Sequence, residues 1–172
     1  MNRNLFITLL IAFNIAIDQI SKVVVRHTMT KGRDGEIDVI GKYFQLIWVE
    51  NKGAFLGMGS DMNPTLRLIF LLILPTIVLL YVIYYIVKTK ELDRLSLIAF
   101  CCIVGGGIAN VFDRIVFGEV TDFFFIEITE TIKTGIFNVA DLSVTTGMIM
   151  LLFSGVFNKK KVTVQEHTSD IS

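Results

Sequence analysis

Residues 105–123 read GGGIANVFDRIVFGEVTDF, and residues 137–141 read FNVAD. Between Gly105 and Asp141 an otherwise mostly apolar chain holds two asparagines, three aspartates and an arginine. Several of these side chains lie inside or at the edge of segments that are apolar enough to sit in a bilayer. Polar and ionisable groups are costly in such places, so they mark a candidate functional site.

The composition around this stretch is that of a membrane protein. Of 172 residues, 53% are hydrophobic and only 19% are charged, and the mean hydropathy is +0.66. Basic and acidic residues balance at 16 each, so no basic surface indicates nucleic-acid binding. The two cysteines, Cys101 and Cys102, are adjacent in an apolar run, which suits neither a disulfide framework nor a metal site.

Four apolar segments are long enough to cross a bilayer as helices, which takes roughly 20 residues each. They cover about residues 5–25, 66–87, 95–117 and 139–157. The first segment could instead be a cleaved signal peptide, but no A-x-A-like site follows it and it continues into Asp18 and Lys22. We therefore predict an all-α integral membrane protein with four transmembrane helices in one domain, residues 1–158. A disordered cytoplasmic tail, residues 159–172, is expected to follow.

Two connections, residues 26–63 and 118–138, are predicted to lie outside the membrane. The first alternates between apolar and polar residues over 43–49 and is flanked by glycines, which is typical of one or two strands. We expect a small β-rich extracytoplasmic subdomain at the membrane surface. Within the second span, Pro75 is expected to kink the helix.

The charge of the short connections predicts the orientation. Positive charge is concentrated at Arg3, in residues 88–94 and in residues 159–161, which all fall on one side of a four-span chain. That side is expected to be cytoplasmic, with both termini inside. The connection 26–63 holds five Lys or Arg but also five Asp or Glu, so it can lie outside.

With this topology, the unusual polar groups converge on the outer rim of the bundle. They are Asp18, Lys22, Glu50, Asn51, Asn110, Asp113, Arg114, Asp122 and Asp141. Each group has an ordinary interpretation when it is taken singly: a structural ion pair between Asp18 and Lys22, a carboxylate beside Arg114, a solvated loop residue, or a helix cap. Their convergence at one rim is what indicates a site.

The available side chains narrow the chemistry of such a site. The chain has only two histidines, so a Ser-His-Asp triad or an H-E-x-x-H zinc site lacks parts. A serine–lysine pair built from Ser21 or Ser143 would have to take Lys22 from Asp18. Carboxylates remain in excess, and two close aspartates share a proton, so that one activates water while the other protonates a peptide carbonyl.

At these residues the chain resembles the lipoprotein signal peptidase family, also called signal peptidase II. The blocks that carry the resemblance occur in order: DQISK at 18–22, NKGAF at 51–55, the stretch 105–114, VTDF at 120–123 and FNVAD at 137–141. The resemblance, including the spacing between the blocks, covers about residues 5–157. Two departures stand out, namely Glu50 before the second block and the hydroxyl of Thr121, where the family usually has an aliphatic residue.

The resemblance implies that Asp122 and Asp141 are the catalytic dyad. It also implies that five residues shape the site or hold substrate: Asn51, Gly53, Asn110, Arg114 and Asn138. Asp18, Lys22 and Asp113 are expected to be structural polar residues. No metal or other cofactor is implied.

The activity implied by the resemblance is that of an aspartic endopeptidase of the bacterial inner membrane. It would remove the signal peptide of a diacylglyceryl-modified prolipoprotein, just before the lipidated cysteine, at the outer face. The expected partners are that substrate and membrane lipid, and the protein is expected to be a monomer.

Two other classes of protein compete with this interpretation. A proton- or ion-coupled transporter would also place Asp, Asn and Arg in the membrane, but its relay should extend through the membrane depth, and the inner halves of the four spans are almost purely apolar. A purely structural membrane subunit would leave the rim cluster unexplained.

Overall fold

The computed structural model describes residues 2–54, 59 and 62–169, with side chains as far as residue 155. The elements of this part of the chain are α1 (Arg3–Thr28), β1 (Ile37–Ile40), β2 (Phe44–Asn51), α2 (Pro64–Lys88), α3 (Arg94–Val116), β3 (Val120–Ile126) and α4 (Val139–Ser169). Phe55, the last residue of the block 51–55, lies outside the described residues.

Helices α1, α2 and α3 are long and apolar enough to cross a membrane. The apolar part of α4, Val139–Gly155, is shorter. Large apolar side chains face outward along the bundle, among them Phe13, Tyr81 and Leu152, of which 59%, 67% and 72% is exposed. The predicted fold class, a helical membrane protein with a small sheet, is confirmed. The fourth span at 139–157 remains a prediction.

A π-helical turn lies next to Pro75, where the sequence predicts a kink. Residues Leu68–Ile73 of α2 form this turn immediately before the proline, and the backbone N–H of Leu74 donates to Ile69 O, five residues earlier. Proline has no N–H to donate and its ring crowds the preceding turn. The wider π turn accommodates both effects within a continuous helix.

The sheet contains two strands from the first connection, where one or two were expected, and a third strand that was not predicted. Its order is β1-β2-β3, antiparallel throughout. Strand β3 pairs Val120 with Asn51 and Asp122 with Val49. Asp122 is therefore a strand residue, 1% exposed, which argues against the ordinary interpretation of a solvated loop residue. The local signal was present, because VTDFFFI is rich in β-branched and aromatic residues.

Helix α3 is central, and the glycine run Gly105–Gly107 lets three other helices approach it. A Cβ atom added at each glycine in turn would collide with a different helix. The residues met are Asn14 of α1, Ala140 of α4 and Leu79 of α2. Small residues of this kind allow close packing of membrane helices. Asn110 and Asp113 follow on the same helix, so this packing also buries the polar end of α3.

Helix α4 continues beyond its predicted end at residue 157. Its backbone is helical as far as Ser169, so the predicted disordered tail, 159–172, is helical over 159–169. No proline or glycine follows Gly155 in this stretch, and helical hydrogen bonding propagates easily from an established helix.

Candidate active site

Asp122 and Asp141 meet at the end of the bundle, and Asn138 connects them. Asn138 Nδ2 donates to Asp122 Oδ1 over 2.6 Å, and the Asn138 backbone N–H donates to Asp141 Oδ2 over 3.2 Å. In return the Asp141 N–H donates to Asn138 Oδ1 over 2.9 Å. Asn138 and Asp141 thus cap the first turn of α4 reciprocally. The same cap presents the Asp141 carboxylate to Asp122.

The other oxygen of each carboxylate accepts from a further asparagine. Asn51 Nδ2 lies 2.8 Å from Asp122 Oδ2, and Asn110 Nδ2 lies 2.9 Å from Asp141 Oδ1. Among the described residues, no lysine or arginine forms an ion pair with either aspartate. Only neutral amide groups donate hydrogen bonds to this pair, here called the dyad.

The environment of Asp122 makes it a carboxyl group that titrates near neutrality. Burial raises the pKa of Asp122 to about 7; hydrogen bonds from Asn51 and Asn138 act in the opposite direction, and the nearby Asp141 carboxylate adds to the rise. A carboxyl group with this pKa is partly protonated at neutral pH, as a general acid must be.

A buried ion cluster lies directly behind the dyad. Lys22 Nζ is 2.7 Å from Asp18 Oδ2 and 2.8 Å from Asp113 Oδ2, and all three side chains are fully buried. The predicted pair of Asp18 and Lys22 is therefore formed. Asp113, in contrast, pairs with Lys22 and, at 3.5 Å, with Arg26, not with its sequence neighbour Arg114 as expected.

The ion cluster is bonded to the elements that carry the dyad. Asp18 Oδ1 accepts from the backbone N–H of Ala140 over 2.8 Å, one of the free donors of a helix start. Lys22 Nζ donates to Asn110 Oδ1 over 3.0 Å. The cluster therefore orients both the first turn of α4 and the asparagine that bonds to Asp141.

Arg114 and Asn51 fix the turn that follows β2. Arg114 donates from Nη2 to Gly53 O over 2.8 Å and from Nη1 to Asn110 O over 3.2 Å. Asn51 Oδ1 accepts from the Gly53 N–H over 2.7 Å, which is a side-chain turn of the kind asparagine favours. All five residues expected to shape the site are thus linked to the dyad directly or through this turn.

The sequence analysis missed a polar link that holds β3 against α1 and β2. Arg26 Nε donates to Thr121 Oγ1 over 2.8 Å, and this hydroxyl lies 3.1 Å and 3.2 Å from the two Glu50 carboxylate oxygens. The Thr121 N–H donates to Asp113 Oδ2 over 3.4 Å. Thr121, fully buried, immediately precedes Asp122. The sequence placed Glu50 among the polar groups at the rim and showed Thr121 only as a departure from the family, and no local signal pointed to Arg26.

An apolar cavity of about 630 Å³ opens beside Asp141, between α2, α3 and α4. Its polar lining comes from Asn110, Arg114, Thr145 and Asp141, and the rest is mainly apolar, including Phe70, Leu71, Val144, Met148 and Leu152. Such a cavity suits a largely apolar ligand with one polar end. The polar end would lie against the dyad.

Comparison with known proteins identifies the family. The family model described as signal peptidase (SPase) II matches residues 10–157. The lipoprotein signal peptidase of Clostridium novyi (strain NT) is 34% identical over 143 residues, 83% of this chain and 92% of that protein. The protein with the same description from Borrelia duttonii (strain Ly) is 34% identical over 95% of this chain and 98% of its own length.

The fold has solved counterparts as well. A structure described as a bacterial membrane enzyme obtained by the in meso method superposes with a TM-score of 0.78 at 26% identity, covering 91% of this chain and 90% of that one. A second structure of the same description gives a TM-score of 0.73 at 25% identity. With the family match over most of its length, this chain belongs to the signal peptidase II family of peptidases.

Proposed function

We propose that this chain is an aspartic endopeptidase that removes the signal peptide from diacylglyceryl-modified prolipoproteins, cutting just before the lipidated cysteine. Family membership supports signal-peptide removal. The observation that carries the aspartic assignment is the dyad itself, two buried carboxylates bridged by Asn138. No cation of the described residues is paired with either carboxylate.

The proposed reaction uses one proton shared by Asp122 and Asp141. The ionised carboxylate takes a proton from a water molecule, whose oxygen attacks the scissile carbonyl carbon. The protonated carboxyl gives its proton to the carbonyl oxygen, and a tetrahedral intermediate forms. When the intermediate collapses, the carboxyl that took the proton from water gives it to the amide nitrogen and the C–N bond breaks. The other carboxylate regains its proton from a hydroxyl of the intermediate, so the dyad returns to its starting state. Asn51, Asn110 and Asn138 keep the carboxylates in place throughout.

The apolar cavity beside the dyad supports lipid recognition. A diacylglyceryl group is large and apolar, and the cavity lies between helices where it can be reached from the bilayer. The polar atoms of Asp141, Asn110 and Arg114 stand at one end of it. Acyl chains in the cavity would bring the cysteine that carries them to the dyad, which explains why cleavage should depend on the lipid.

The proposed topology has four spans, both termini in the cytoplasm and the dyad at the outer face of the bacterial inner membrane. In support of this topology, the dyad, the ion cluster and the sheet occupy one end of the bundle, whereas the positive connection 88–94 is at the opposite ends of α2 and α3.

Cysteines introduced at Lys42 and Lys90 test this orientation: only the cysteine at position 42 should be labelled from outside the cell. Labelling of Lys90 alone would reverse the orientation.

The deciding experiment uses the purified protein in detergent with matched lipidated and unlipidated prolipoproteins. The lipidated precursor should shift on a gel, and mass spectrometry should find a new N-terminus at the lipidated cysteine. The unlipidated precursor should be cut poorly or not at all. Equal cleavage of both would contradict lipid recognition. Loss of cleavage on adding a metal chelator would contradict the metal-free aspartic mechanism.

A further inference from the structure

A second cavity, of about 260 Å³, lies between the start of α2, the end of α3 and the turn after β2. Three of its lining residues are cations and none is acidic: the lining is Lys52, Pro64, Arg67, Leu68, Leu71, Leu72, Arg114 and Gly118. We call it the basic cavity. It holds space for several water-sized groups, since one water occupies about 30 Å³ of liquid.

Two arginines that line the basic cavity each have a buried Nε without a hydrogen-bond partner. Arg67 Nε and Arg114 Nε are the only buried side-chain nitrogen or oxygen atoms without a hydrogen-bond partner in the part of the chain that the structure describes. Both residues line this one cavity. Buried polar groups are nearly always hydrogen-bonded. Two arginines with unused hydrogen-bonding capacity at one cavity therefore favour a ligand there that accepts hydrogen bonds.

The acceptor should be an anion, because three cations line the cavity and no acidic residue does. Arg114 also interacts electrostatically with Asp113, Asp122 and Asp141. Elsewhere the buried or partly buried cations Lys22 and Arg26 are paired with carboxylates. Within the described residues, Lys52, Arg67 and Arg114 form no ion pair. Arg114 uses its two terminal nitrogens on backbone carbonyls, which orients the guanidinium without neutralising it.

The start of α2 adds to the positive potential. Pro64 is the first residue of the helix after its cap, Asn63, and it lines the cavity. The free N–H groups and the dipole of a helix start favour an anion. Guanidinium groups also match the several oxygens of a phosphate better than a single point charge does.

The position of the cavity indicates where a phosphate would come from. Arg114 and Leu71 line both the basic cavity and the apolar cavity, so the two adjoin. A phospholipid carries its phosphate next to its acyl chains, and basic pockets between membrane helices are suited to lipid head groups. We propose that Lys52, Arg67 and Arg114 bind one phosphate group, as carried by a membrane phospholipid or as the free ion. This site shares Arg114 with the apolar cavity but contains neither dyad aspartate, and phosphate binding goes beyond the proposed peptidase function.

The test measures binding, not turnover, so it stays readable whatever the outcome of the cleavage experiments. The delipidated protein in a neutral detergent is titrated with three probes: dihexanoyl phosphatidylglycerol, dihexanoylglycerol, which lacks the phosphate, and inorganic phosphate. The rise of the unfolding temperature with concentration gives an apparent Kd for each. Phosphate-bearing probes should stabilise the protein saturably and dihexanoylglycerol should not.

Arg67→Gln should weaken binding of the phosphate-bearing probe by about tenfold or more, the effect of losing one charged donor. Arg67→Lys keeps the charge but loses the planar guanidinium with its parallel N–H donors, so its affinity for the probe should lie between those of the unaltered protein and Arg67→Gln. The matched control is Arg33→Gln, the same change at an exposed arginine paired with Glu36, and it should bind as the unaltered protein does. If Arg67→Gln fails to fold, Lys52→Gln at an exposed position carries the test with the same expectation.

The three probes also separate the sources of the phosphate. Saturable binding of the phospholipid without competition from inorganic phosphate supports a lipid head-group site. Equal competition by inorganic phosphate supports a site for the free ion. Unchanged affinities in both Arg67→Gln and Lys52→Gln overturn the proposal. So does equally tight binding of dihexanoylglycerol.

Discussion

The dyad and the buried ion cluster are neighbours with similar composition and opposite character. Each contains two almost fully buried aspartates, and Asn110 bonds to both groups through its amide. In the ion cluster, Lys22 lies within 2.8 Å of both carboxylates. In the dyad, only asparagine amides and a backbone N–H approach the oxygens.

This difference decides what each group can do. An ammonium ion between two carboxylates compensates their charge, so the ion cluster serves as a fixed part of the structure. Amides supply hydrogen bonds without a charge, and burial raises the pKa of Asp122 to about 7 against the effect of these hydrogen bonds, so the dyad can hold a proton at neutral pH. Both groups are buried, and what differs between them is the partner: a lysine in the ion cluster and only amides in the dyad.

The largest expected effect is on turnover when the dyad is changed. Asp122→Asn and Asp141→Asn should each reduce the cleavage rate by about 10³-fold or more, because general acid and base catalysis are both lost. The change removes charge without volume, so the unfolding temperature and the yield should stay close to those of the unaltered protein. Initial rates from the gel assay measure the first effect, and thermal unfolding measures the second.

Asp113→Asn is the matched control from the ion cluster. It should retain measurable turnover in whatever fraction folds, or fail through instability, since its partner is Lys22 and not the substrate. A folded and inactive Asp113→Asn together with an active Asp122→Asn would show that the dyad is wrongly assigned. Asp113 with Asp141 would then be the pair to test.

The next largest effect should be on stability when the ion cluster is broken. Lys22→Ala leaves two buried carboxylates uncompensated, and breaking a buried pair on one side typically costs about 3–5 kcal/mol. Asp18→Asn should also lower the amount of folded protein more than the turnover of what remains. Yield and chemical unfolding measure the loss, with Lys42→Ala, an exposed lysine, as control. Normal yield with abolished turnover would place Asp18 or Lys22 in the catalytic site.

A third effect should appear in the pH dependence. Because the pKa of Asp122 is raised to about 7, turnover should fall as the pH rises above that value and the shared proton is lost. For stability, the unfolded chain loses this proton near pH 4 and the folded chain keeps it to about pH 7, so the free energy of unfolding should decrease with pH across that window. Asp122→Asn should remove this contribution to the decrease. If the free energy of unfolding of the variant decreases just as steeply with pH, the raised pKa does not belong to Asp122.

The smallest effect should come from the link at Thr121. Thr121→Val deprives Arg26 and Glu50 of their shared hydroxyl, at a cost of about 1–3 kcal/mol of stability. Because β3 carries Asp122 next to it, turnover should also fall, by about tenfold and mainly in kcat. Thr121→Ser keeps the hydroxyl and should restore most of both. If serine restores stability but not turnover, the hydroxyl does not position Asp122.

Features that depend on nearby residues were predictable from the sequence. The apolar runs place α1, α2 and α3, because burying each backbone within its own helix is a local requirement of the bilayer. The pair Asp18 and Lys22 is one helical turn apart, and the cap between Asn138 and Asp141 spans three residues. In both cases the spacing of the two residues along one helix was sufficient to predict the contact.

Contacts between distant segments required the tertiary structure. Asp113 could be matched from the sequence only to the adjacent Arg114, whereas its real partner, Lys22, lies on another helix. The same holds for the link between Arg26, Glu50 and Thr121, and for the meeting of Asp122 on β3 with Asn51 on β2. Which carboxylate receives a cation and which receives only amides depends on how α1, α3, α4 and the sheet pack. The sequence by itself therefore determined which groups reach the rim, and only the packing decided which of them could share a proton.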